Sequence, residues 1–141
     1  MRRVLPIAVI AALLTITATA TAAARKLYLP VSLAVNNGDA QHPESIGLVA
    51  DGTLGIQGIH WHHWGNNETI GQGTFVVYQQ TSYNVIGRYK TTITSSDPTR
   101  ADHRLLYGLI NISVPEAVQR SRDLPHELHY WLLGDSYSSN W

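Results

Sequence analysis

The chain has 141 residues, ten basic and ten acidic side chains, a formal net charge of zero and no cysteine. Balanced charge argues against the basic face of a nucleic-acid footprint, and the missing cysteines remove disulfide staples and any lipid-bearing cysteine. This length suits one domain around one hydrophobic core.

In chain order, the first expectation is an export signal over residues 1–24. Arg2 and Arg3 form a positive leader, Val4 to Ile16 an apolar run, and Ala20 to Ala24 the small residues a signal peptidase accepts. The run is shorter than the roughly 20 residues of a spanning helix. Cleavage leaves residues 25–141 as a single secreted β domain, with eight basic residues against ten acidic ones and no membrane association.

Beyond the leader, apolar and polar residues alternate with the period of a strand. Leu27, Leu29, Val31, Leu33 and Val35 share one face of a first segment, and Pro30 on the other places that strand at an edge. Ile46 to Ala50 and Thr53 to Trp64 flank Asp51-Gly52, a hairpin signal. Thr74 to Gln80, Val85 to Thr94 and Arg104 to Val114 read as further strands, with Val85, Tyr89 and Ile93 facing away from Arg88, Lys90 and Thr92. Turns are expected at Gly65-Asn66-Asn67, Gln80 to Asn84 and Ser95-Ser96-Asp97-Pro98. Ser113-Val114-Pro115-Glu116 has the spacing of a capping box and predicts a short helix over residues 115–122. Leu128 to Leu133 returns as a strand before a polar tail. Six to seven short strands predict an all-β fold, an antiparallel β-sandwich or partly open barrel with one short helix near the C-terminus.

The centre of the chain reads Gly58-Ile59-His60-Trp61-His62-His63-Trp64-Gly65, followed by Gly71-Gln72-Gly73. With Asp51 and Gly52, the positions Gly58, Trp61, Trp64, Gly65, Gly71 and Gly73 resemble a segment of small secreted actinobacterial proteins of uncharacterised function. The likeness covers roughly residues 49–94. It implies a compartment and a β fold and supplies no catalytic residue. Those relatives often carry cysteines after the second glycine pair, and this chain has none.

From the residues themselves, His60 and His62 lie two apart on a strand, point the same way and form half of a zinc site. A third ligand would have to come from His103, His126 or His129. Gly71-Gln72-Gly73 is too short for a phosphate cradle and reads as a turn leading into a strand. Asp97, Asp102, Glu116, Asp123, Glu127 and Asp135 all sit in turn-like or helix-end settings, and no G-x-S-x-G is present. Aromatic side chains, with Trp61, Trp64 and Tyr78 foremost, offer flat rings that stack on sugars, although rings of this size also build cores. Trp61 and Trp64, three apart, face opposite sides of a regular strand unless a bulge near His62-His63 turns one inward. The function expected is a non-enzymatic extracellular or envelope-associated binding or structural module. Its ligand is a carbohydrate or cell-envelope polymer, with no cofactor. The alternative is a secreted enzyme or metal-binding protein built on His60 and His62.

Overall fold

The structure is a computed structural model that describes residues 25–34, 38–101, 103–134 and 136–139. The expected export signal, Val35 and Trp141 lie outside the described residues. The strands are β1 (Leu27–Pro30), β2 (Asp39–Ala40), β3 (Ser45–Gly47), β4 (Leu54–His62), β5 (Glu68–Tyr78), β6 (Val85–Ala101), β7 (Arg104–Ser113), β8 (Glu127–Leu133) and β9 (Ser136–Ser139). One short helix, α1 (Glu116–Arg122), precedes β8. No helix among the described residues is long and apolar enough to cross a membrane.

All of these strands join one sheet in the order β2-β1-β7-β6-β5-β4-β3, with β8 also on β7 and β9 on β8. The sheet curls strongly into a half-barrel, so the fold is all-β and the partly open barrel, of the two expected architectures, is the one formed. The segment after β1 ties the two ends together. Gly47 N–H donates to the Val31 carbonyl at 2.9 Å, and Leu33 N–H donates to the Gly47 carbonyl at 2.8 Å. Inside the curl, Leu27, Leu29, Ile56, Phe75, Ile93, Ile110, Ile112 and Leu128 are fully buried. Helix α1 adds Val118 to that core. Burial of this apolar surface is the main force holding a chain with no covalent cross-link.

Several boundaries differ from the sequence expectation. Strand β1 is an inner strand, because its parallel pairing with β7 uses Leu27 and Tyr28, upstream of the proline that cannot donate. Strand β6 runs straight through Ser95-Ser96-Asp97-Pro98. Its register with β7 continues from Ser96 opposite Leu109 to Pro98 opposite Tyr107, and only Asp97, at φ 57, leaves the ladder. The chain reverses instead between Ala101 and Arg104, which pair. The capping box does not form: Pro115 is the N-cap and no side chain caps the helix, while Gln119 Nε2 donates to the Val114 carbonyl. The polar tail forms β9, paired with β8. The Asp51-Gly52 hairpin forms as expected, with Gly52 at φ 72 and Asp51 Oδ1 accepting from both Thr53 N–H and Thr53 Oγ1.

Candidate functional site

Strand β4 decides which sequence candidates face the core and which face outward. Gln57 pairs with Thr74 but His60 pairs with Gln72, so β4 spends one extra residue there. This bulge sits at Gly58, whose φ of +61 suits glycine and strains other residues. Before it, Leu54 and Ile56 are buried; after it, Ile59 is buried and Trp61 half-buried, while His60 and His62 are exposed. A period-two strand without the bulge would send the histidines inward and Trp61 outward. The bulge was expected four or five residues later, near His62-His63; there the strand simply ends, and His63 at φ 60 starts the turn.

That turn folds Trp64 back onto the same side as Trp61. The two rings meet edge-on with centroids 5.1 Å apart, and Trp64 also meets Tyr107 at 5.4 Å and His42 at 4.6 Å. Trp61 Nε1 donates to the Pro43 carbonyl at 2.9 Å. Tyr107 Oη accepts the Gly65 N–H and donates to the Asn66 carbonyl, both at 3.1 Å, pinning the turn to β7. Burial pushes the Tyr107 phenol above its ordinary pKa, and the Gly65 amide pulls against that shift.

Gly71-Gln72-Gly73 is the middle of β5, not a turn leading into it. Gly71 lies directly opposite Trp61, and a Cβ there would stand 2.8 Å from the Trp61 ring and 2.9 Å from Ile59. A Cβ on Gly73 would stand 2.9 Å from Ile56 and 3.1 Å from Ile59. The glycine pair is therefore the space into which the residues after the bulge pack. Tyr78 stands seven residues beyond Gly71 on the same strand, about 23 Å away. Its hydroxyl accepts from Gln57 Nε2, outside the tryptophan cluster.

The opposite face of the same strands is polar. The ladder sets His60 beside Gln72 and Gln72 beside Thr92, and the next row sets Thr74 beside Lys90. Between these rows, over the bare backbone of Gly58 and Gly73, lies an open depression of about 600 Å³. Its side chains are an imidazole, an amide, hydroxyls and an ammonium: donors and acceptors, with no hydroxyl held against a general base. The alternation separates Arg88, Lys90 and Thr92 from the inward Tyr89 and Ile93; Val85, expected with the latter two, is exposed instead, because a register shift sets it opposite Tyr78. That alternation gives no sign of which residues of β4 and β5 stand beside the outward three.

Displaced pKa values fall elsewhere. Backbone and side-chain hydrogen bonds from Thr53 hold the Asp51 carboxyl below its usual range. Burial, reinforced by the nearby Asp39 carboxylate, pushes the Tyr137 phenol well above its own. Neither residue lines the depression.

The histidines stay apart. The row of His62 runs through Ile70, Thr94 and Asn111 to His129, four strands and about 19 Å along the sheet. His129 Nδ1 lies 2.6 Å from Asn111 Oδ1, and its Nε2 lies 3.6 Å from Glu127. His103 is in the β6–β7 turn and His126 just before β8. Among the described residues, no three His, Asp or Glu side chains gather as a metal site would require. No family model matches this chain, and neither a curated protein nor a solved structure gives a significant match.

Proposed function

We propose that this chain is a non-enzymatic binding module that works outside the cytoplasm and holds a hydroxyl-rich polymer, a carbohydrate or cell-envelope material, on the outer face of β4, β5 and β6. The observation that carries this reading is the open depression of about 600 Å³ with His60, Gln72, Thr74 and Thr92 around it. Amide and hydroxyl groups repeated at strand spacing offer paired donors and acceptors to a ligand that is itself a row of hydroxyls. Trp61 and Trp64 contribute by holding the turn and the bulge that shape this face, and the contacts to the ligand are hydrogen bonds rather than ring stacking. Work outside the cytoplasm is supported by the leader pattern of residues 1–24.

A glycan array probed with the protein produced from its full-length sequence tests the reading, followed by calorimetric titration of any hit. Replacing both Gln72 and Thr92 by Ala is expected to weaken binding at least about five-fold, since each lost hydrogen bond contributes about 0.5–1.5 kcal/mol, at an unchanged melting temperature. An array without hits, or a double variant that binds as well as the parent, rejects it.

A further inference from the structure

We infer that the polymer this groove takes is an anionic polysaccharide, its carboxylate held by Lys90 and its hydroxyls by the side chains between Lys90 and His60; the inference rests on the polymer-binding reading above. The chain as a whole is neutral, but its charges are not evenly spread. Away from the depression two arginines stand against acids: Arg104 pairs with Asp39 at 2.7 Å, and Arg120 pairs with Glu116. Around the depression no such pair forms among the described residues. A lysine and a histidine line it and no carboxylate does.

The row beside Lys90 adds a second cation. Exposed Arg88 precedes Lys90 by two residues on the same face, its guanidinium 3.5 Å from the neutral Gln57 Oε1, and exposed His62 follows His60. Carboxylates stand one strand outside the lining on either side: Glu44, whose backbone carbonyl accepts from Ile59 N–H at 3.1 Å beside Gly58, and Glu127, opposite Ser113, where it faces His129 at 3.6 Å. Lys90 makes no ion pair among the described residues. An exposed ammonium beside a second cation, with no acid paired to either among the described residues, leaves a positive field that an anionic ligand complements.

The geometry favours a saccharide over other polyanions. Lys90 and His60 stand two strands and one row apart, about 12 Å, and the space between them is filled by Gln72 and Thr74 rather than by further cations. A nucleic acid is met by a continuous basic patch with aromatic faces for its bases, and here the tryptophans point away. A point charge next to amide and hydroxyl groups suits a ring that bears one carboxylate and several hydroxyls.

Equilibrium binding of the full-length-derived protein to polygalacturonate, to dextran and to a single-stranded DNA of matched charge distinguishes the outcomes. Polygalacturonate is expected to bind best, more weakly as salt rises. Lys90→Gln should weaken it about three- to five-fold and Lys90→Glu further, both with the parent melting temperature. Equal binding of dextran and polygalacturonate, with Lys90→Gln silent, overturns the anionic inference and leaves the polymer-binding reading standing. DNA bound as tightly as polygalacturonate overturns the saccharide specificity. Failure of both polysaccharides together with an empty glycan array overturns inference and reading alike.

Discussion

His60 and Trp61 are neighbours in the chain and belong to opposite worlds. On the inner face Trp61 lies over Gly71, donates to the Pro43 carbonyl and touches Trp64, so its surroundings were shaped to fit it. On the outer face His60 borders an open depression where Gln72, Lys90 and Thr92 are exposed with it. Close packing makes the first region intolerant of change, because a void or an overlap there has nowhere to relax. The second region can vary at small cost to the fold, and a binding surface has the same freedom. One glycine in the left-handed region, Gly58, assigns each residue after it to one region or the other.

The sharpest way to break this contrast is to remove the switch. Gly58→Val keeps the chain length but disfavours the left-handed backbone that the bulge needs, and an unbroken period of two over the same residues would drive His60 and His62 toward the core while expelling Trp61. Its melting temperature, followed by circular dichroism, is expected to fall further than that of any variant below, and a parent-like transition would contradict the role given to the bulge. Trp61→Ala keeps the switch and empties the inner face. Its expected cost is about 3 kcal/mol, a fall of roughly 10 °C or more in melting temperature for a domain of this size, measured by calorimetry.

Gly71→Val tests the same contact from the other strand. The added side chain meets the Trp61 ring and should cost about 1–3 kcal/mol by overpacking. The double variant with Trp61→Ala should recover part of that loss, since the obstacle is gone; strict additivity would show that the two residues do not press on each other.

The smallest expected effect is alkaline. The phenols of Tyr107 and Tyr137 are held neutral by burial, with folded pKa values above the ordinary value near 10, so above that pH the unfolded chain has lost protons that the folded chain retains. Their contribution to stability is therefore complete below about pH 10 and declines as pH rises toward the folded values. Melting temperatures measured upward from pH 9 should begin to fall near pH 10. Tyr137→Phe should make that fall shallower, and an equally steep fall in the variant would remove Tyr137 as its source.

Much of the fold was legible because alternation is a local property. The inward Tyr89 and Ile93, the Asp51-Gly52 hairpin, the helix after Pro115 and the strand that became β8 all follow from neighbours in the chain. Other elements read wrongly for a physical reason. Ser95-Ser96-Asp97-Pro98 has turn chemistry, but β7 supplies a partner on one side and β5 pairs Ser95 and Ser96 on the other, and those ladders outweigh local preference. Gly71-Gln72-Gly73 likewise looked like punctuation, since a glycine signals flexibility until the ring that occupies its missing side chain is known.

By itself, then, the sequence determined the class of the domain: strands by their period, one core by its apolar count, packing without covalent ties by the lack of cysteine. It also determined that His60 and His62 share a face. Which face, and whether Trp61 shared it, depended on a bulge that shifts register by one residue, a difference set only when β4 lies against β5. The grouping of His60, Gln72, Thr92, Thr74 and Lys90 was decided in the same step. They come from three strands spread over some thirty residues of chain, and strand pairing in the curled sheet brings them together because hydrogen bonds between strands bring side chains within about 5 Å whatever their separation in sequence.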